Sequence, residues 1–144
     1  MNSLRRIITI ALVSFVLHFI WETAHVGLYA GYEHITRLPI TLYATLGDVG
    51  YVLLGVMLLS LFKHSLAWLD APARNDYIFL TAVGFLIAVF VEYKGLMLGK
   101  WTYLPAMPIV PLLRIGLSPL LQMTLLLPAS VWLSAQLRSY IASK

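Results

Sequence analysis

Apolar residues run through this chain in four long stretches separated by short polar breaks. A helix that crosses a bilayer needs about 20 predominantly apolar residues. Four segments meet that length: Ile7 to Tyr29, Leu38 to Phe62, Tyr77 to Leu98, and Ile109 to Leu137. Pro119 and Pro128 interrupt the last and are expected to kink it. The pattern predicts an all-α polytopic membrane protein, one domain over residues 1–144, with four transmembrane helices. The break at 63–76, KHSLAWLDAPARND, reads as an ordinary polar loop. The break at 99–108, GKWTYLPAMP, is aromatic and proline-bearing, and suits an interfacial or re-entrant segment between helices 3 and 4.

Composition sharpens this picture. The chain is 60% hydrophobic and 11% charged, whereas soluble domains are about a quarter charged. It has no cysteine, which excludes disulfides, thiolate catalysis and cysteine-ligated metals. The net charge of +4 is spread along the chain, so nucleic acid is not an expected partner. Two arginines precede the first apolar run, as in a secretory signal. No small-x-small cleavage site follows, and an uncleaved first helix is expected. Arg5, Arg6, Lys63, Arg74, Arg138 and Lys144 would share one side, against Arg37 and Lys100 on the other. That bias predicts cytoplasmic termini, in a cytoplasmic membrane of bacterial type.

The candidate chemistry lies inside the spans. In HFIWETAH, His18, Glu22 and His25, with Tyr29 beyond, fall within roughly a 60° arc of a helix. Charged groups in a span cost about 2.5–3.5 kcal/mol each, so they face a bundle interior and mark function by default. Counted inward at about 1.5 Å per residue, Glu22, Asp48, Glu92, Arg114 and Gln122 reach matching depths on four helices. Glu22, Glu92, Asp48, His18 and His25 are therefore candidate acid-base groups. Burial favours the neutral acid, which can protonate an alkene or epoxide while a neighbour removes a proton elsewhere. Trp21, Tyr29, Tyr43, Tyr51, Tyr93, Trp101 and Tyr103 can line the cavity and stabilise a developing carbocation, or form an interfacial belt. Arg114 would hold a carboxylate ionised or bind a head group. Gln122 either caps the pocket or only bridges helices.

Other readings stand beside this one. The carboxylates can simply pair with Arg114, Lys94 and the histidines to lock the bundle. His18, Glu22, His25 and Asp48 can also be read as ligands for iron, manganese or zinc, although the spacing matches neither His-Glu-x-x-His nor Glu-x-x-His. A proton- or metal-coupled transporter, completed by a homodimer, and an accessory subunit of a larger complex are the competing classes. His34 and His64 read as solvated. GLYAGY (27–32) and GLMLGKW (95–101) echo each other after a glutamate, as two duplicated hairpins would.

Residues 92–122, EYKGLMLGKWTYLPAMPIVPLLRIGLSPLLQ, resemble the glutamate-glycine-Trp-x-Tyr pattern of small membrane proteins in the carotenoid cyclase and hydratase neighbourhood. The Trp21–Glu22 pair is similar to one in membrane-bound terpene cyclases. The resemblance implies metal-free acid-base chemistry on isoprenoids, with Glu22 and Glu92 as acid and base and Trp101 and Tyr103 in the pocket.

Overall fold

A computed structural model describes residues 3–31 and 37–144, and the side chain of Arg37 lies outside the description, as does His34. It contains four helices: α1 (Ser3–His25), α2 (Arg37–Phe62), α3 (Arg74–Met97) and α4 (Leu117–Ala142). All four are long and apolar enough to cross a membrane. Their inner faces repeat at helical spacing. On α3, Asp76, Leu80, Gly84, Ala88, Glu92 and Gly95 are buried in one stripe. On α1 the stripe is Ile10, Ser14, His18 and His25. Leu12, Val16, Ile20, Leu86 and Trp132 point outward and are exposed, the surface that helices present to lipid. Helix-borne hydroxyls fold back on their own backbone: Thr45 donates to the Thr41 carbonyl at 2.6 Å and Thr124 to that of Leu120 at 2.6 Å. Such bonds satisfy a hydroxyl in an apolar setting without water.

Two devices set the helix packing. The first is Gly84, where a Cβ would lie 2.4 Å from the Met123 carbonyl oxygen, so the backbones of α3 and α4 touch there. The second is a polar knot at the end holding both termini. Asp70, in the 3-10 turn Ala67–Asp70, accepts from Arg6 at 2.6 Å and lies 3.6 Å from Arg138 Nε. The adjacent Arg6 guanidinium holds the Asp70 carboxyl below the usual carboxylate range. Arg138 also donates to the Leu69 carbonyl at 2.5 Å. Between the knot and the far end lies an apolar core of Ile10, Val52, Val56, Leu80, Leu127 and Val131.

The far end departs from the sequence expectation. Residues 109–116 are not helical: β3 (Ile109–Val110) pairs antiparallel with β4 (Ile115–Gly116), and α4 begins only at Leu117. Pro108 and Pro111 have no N–H to give a helix, and Arg114 closes the turn at φ +53°. Pro119 sits in the first turn of α4, where an N–H has no intrahelical partner anyway, and Pro128 is the one proline within the helix. A second ribbon joins β1 (Tyr29–Ala30) to β2 (Thr102–Tyr103). The segment after α3 is thus a folded cap, tied down by Leu104 N–H to the Leu28 carbonyl at 2.9 Å and by Tyr93 Oη to that of Leu113 at 2.5 Å. The two glycine echoes have a common local cause: Gly31 and Gly99 both turn the chain with positive φ.

Gly84→Ala forces the α3–α4 crossing apart and is expected to cost about 1–3 kcal/mol, read as a lower unfolding temperature in detergent. Gly47→Ala meets nothing within 4 Å and should leave that temperature unchanged or raised. Equal stability of the Gly84→Ala and parent proteins would refute the close crossing.

Candidate functional site

Gln122, in the second turn of α4, gathers side chains from two other helices. Its amide Nε2 donates to Glu22 Oε1 on α1 at 2.8 Å and to Asp48 Oδ2 on α2 at 2.8 Å. An amide nitrogen carries two hydrogens, and the two carboxylates take both. Turned the other way, the amide oxygen would face two carboxylates, which fixes its orientation. His18 Nδ1 lies 3.2 Å from the same nitrogen and 3.3 Å from Asp48 Oδ2. His18 Nδ1 thus shares the amide nitrogen with the two carboxylates, and its approach to Asp48 is a charge contact. His18 Nε2 is buried without a partner among the described residues.

His25 extends the network toward the cap. Its Nδ1 is 2.8 Å from Ser118 Oγ. Its Nε2 lies 3.2 Å from Glu22 Oε1, but off the hydrogen-bonding direction, so that approach is a charge contact. The His25 ring then meets Tyr29 edge-on at 5.4 Å, and Tyr29 packs against Trp101 at 6.3 Å and Tyr103 at 5.7 Å. Tyr103 donates its phenol hydrogen to Glu92 Oε2. Gly95 admits this arrangement, because a Cβ there would sit 1.9 Å from a Trp101 ring atom. Burial, reinforced by hydrogen bonding to Glu92, pushes the Tyr103 phenol above its usual range, and burial does the same to Tyr29. Both remain hydrogen-bond donors at neutral pH.

Glu22, Asp48, Glu92, Gln122, Tyr29 and Trp101 line a cavity of about 760 Å³, with His18, His25, Ser118 and Tyr103 behind them, within the range of small-molecule sites. Glu22, Asp48, Glu92 and Gln122 contribute its polar atoms, and Tyr29, Tyr51 and Trp101 its aromatic surface. Val26, Ile40, Ala44, Ile87 and Val91 make the rest apolar. None of the three carboxylates forms an ion pair with lysine or arginine among the described residues. The pairing of Glu22, Asp48 and Glu92 with Arg114 and Lys94 is therefore not what the structure contains.

Of the residues singled out in the sequence, Glu22, Asp48, His18, His25 and Gln122 come together, and Glu92 joins them across the cavity. Gln122 both lines the pocket and bridges helices. Arg114 does not take part: it is exposed in the β3–β4 turn, because the helix assumed to carry it starts three residues later. Trp21 is half-buried with its indole Nε1 unpartnered and is not among the residues lining the cavity. Tyr43 lines the cavity but is 81% exposed, and Tyr93 is held by Leu113 outside it. His64 is exposed in a turn at φ +50°. The set His18, Glu22, His25 and Asp48 does not frame a metal position; among the described residues no three such groups do. The Gln122 amide occupies the point between Glu22 and Asp48 where a cation would sit.

Sequence reasoning did not give three participants the places they hold. Ser118, one turn before Gln122, holds His25. Lys94, read as an ion-pair partner of the carboxylates, and Lys100, read only as part of the charge bias, both line the cavity at its far end.

Gln122→Met preserves side-chain length but leaves Glu22 and Asp48 each short of a donor. A loss of about 1–3 kcal/mol for each uncompensated group is expected, measured as thermal stability in detergent. Gln122→Glu removes the donor and adds a third carboxyl, so it should be no less destabilising; parent-like stability in both would contradict the network. Compared with family models, curated proteins and solved structures, the chain matches none.

Proposed function

We propose that this is an integral membrane enzyme that moves protons on an apolar, isoprenoid- or lipid-like substrate held in the cavity. One observation carries the reading: Glu22, Asp48 and Glu92 line a largely apolar cavity, His18 and His25 stand against Asp48 and Glu22, and among the described residues no lysine or arginine is paired to the three carboxyls. The Gln122 amide ties Glu22 and Asp48 into the bundle, and Glu92, apart from that tie, holds the Tyr103 phenol with one oxygen and lines the cavity. Charge bias supports termini on the cytoplasmic side, with Arg6, Lys63 and Arg138 at one end and Lys94 and Lys100 at the other. A bacterial cytoplasmic membrane fits that bias.

Glu22 and Glu92 are the principal acid and base. In the acid form, one carboxyl gives its proton to one carbon of a substrate double bond, leaving a carbocation on the next carbon. The faces of Tyr29 and Trp101 stabilise that cation. The opposing carboxylate then takes a proton from a neighbouring carbon, and a new double bond or ring closes. The enzyme ends with the proton on the other carboxyl. Tyr103 steadies Glu92 through its phenol hydrogen, His18 and His25 stand against Asp48 and Glu22, and exchange with water takes the proton from the second carboxyl and restores it to the first. The resemblance of residues 92–122 to carotenoid cyclase and hydratase proteins points the same way.

The test is a comparison of lipid extracts from membranes containing the parent protein, Glu22→Gln or Glu92→Gln. The parent should accumulate an isoprenoid or lipid that is an isomer or hydrate of a compound retained in both variants. Removing a general acid or base should slow that conversion by about 10²–10⁴-fold. Identical extracts from all three, with the variants folded, would overturn the reading.

A further inference from the structure

The cavity is not closed evenly by its four walls. Ala44, Tyr51 and Gly55 lie on one stripe of α2, within roughly 40° of one another. At Gly55 this stripe is in contact with its neighbours: a Cβ there would meet Leu127 at 2.9 Å and Val83 of α3 at 3.5 Å. Two turns farther from the terminal knot, a Cβ at Gly47 would meet nothing within 4 Å. Gly47 and Ala44 nonetheless line the cavity, opposite Ile87, Val91 and Lys94 of α3. Helices α2 and α3 therefore meet at Gly55–Val83, and toward the cap the cavity lies between them, lined by Ala44, Leu46 and Gly47 on one side and Ile87, Val91 and Lys94 on the other, while α3 and α4 stay in backbone contact at Gly84.

The lips of this cleft are apolar. Leu46 is 62% exposed and Phe90 61% exposed, on α2 and α3 respectively. Lys94 reaches back over the Phe90 ring, with Nζ 5.8 Å from its centre. Lys94 and Lys100 mark the outer rim, and neither has a carboxylate partner among the described residues. An apolar slot with cationic donors at one end matches an amphiphile lying along a membrane leaflet, tail inward and polar end at the interface.

We infer that the cavity is loaded sideways from the leaflet at the cap end, through the cleft between α2 and α3. Its occupant is a membrane-dissolved chain whose apolar part lies along Ala44, Gly47, Ile87 and Val91. Its hydrogen-bond-accepting polar end stays at Lys94 and Lys100. Gly47 is the residue that sets the width of the cleft. This inference rests on the membrane placement and the cavity used above, and adds the route and the shape of the ligand.

Photo-crosslinking tests it. A polyprenyl alcohol with a diazirine in its chain is added to vesicles holding the full-length protein, irradiated, and the labelled peptides are mapped by mass spectrometry. Label is expected on the segments carrying Ala44 and Val91, and an excess of unmodified alcohol should displace it. Gly47→Phe should cut that label at least tenfold, whereas Gly47→Ala should not. Ala44→Phe, filling the slot from one turn away, serves if Gly47→Phe does not fold. Label confined to outward residues such as Leu12 and Trp132, or undiminished by either folded phenylalanine variant, would overturn the inference. Parent-like lipid conversion by Gly47→Phe would sink the lateral route while leaving the enzyme reading intact. Cleft-dependent labelling without any lipid conversion would do the reverse.

Discussion

The amide of Gln122 is the constraint on which the polar interior depends. Two carboxylates from different helices approach one small group, and without a donor between them they would repel each other in low dielectric. The amide nitrogen gives each a hydrogen bond of 2.8 Å and brings no charge of its own. A lysine there would lock both acids in the ionised form, and a metal ion would do so more strongly. A neutral bridge holds them in place while leaving their protons exchangeable. The place of His18 Nδ1 beside both the amide and Asp48 follows from that bridge, and His25 flanks it with contacts to Glu22 and Ser118.

Stiffness and openness are divided along the length of the bundle. Near the termini, Asp70 gathers Arg6 and Arg138, and Lys63 meets Asp76 at 2.5 Å. The packed core of Val56, Leu80 and Leu127 follows. Beyond Gly84 the helices part, and the space between them becomes the cavity. The cap, held by two short ribbons, closes it from above and delivers Trp101 and Tyr103. A site built on rigid helices and completed by an anchored cap holds its polar groups at fixed separation.

Much of this was legible from residue spacing. The α2 expectation of Leu38 to Phe62 lies within one residue of the helix found, because its apolar run has sharp ends. The stripe of His18, Glu22 and His25 was visible because ionisable groups in a span must share a face. The start of α4 was not, since hydropathy alone does not separate an apolar ribbon from an apolar helix. Pro108 and Pro111 carried the missing signal, and reading them as breakers would have moved Arg114 to a turn. Two further facts needed three dimensions. Ser118 is far in sequence from His25, which it holds, and Tyr103, though in the same motif as Glu92, reaches it only because the chain turns back at Gly99.

The central claim is that protons pass between Glu22, Glu92 and carbon atoms of a membrane-dissolved substrate. The most direct measurement is solvent-deuterium incorporation: membranes bearing the protein are incubated in heavy water, and their lipids are extracted and weighed by mass spectrometry. The account predicts a lipid whose mass rises by one deuterium bound to carbon, in membranes with the parent protein and not with Glu92→Gln. Product lipid formed in heavy water without carbon-bound deuterium would contradict it, because no proton from the protein would then have reached the substrate.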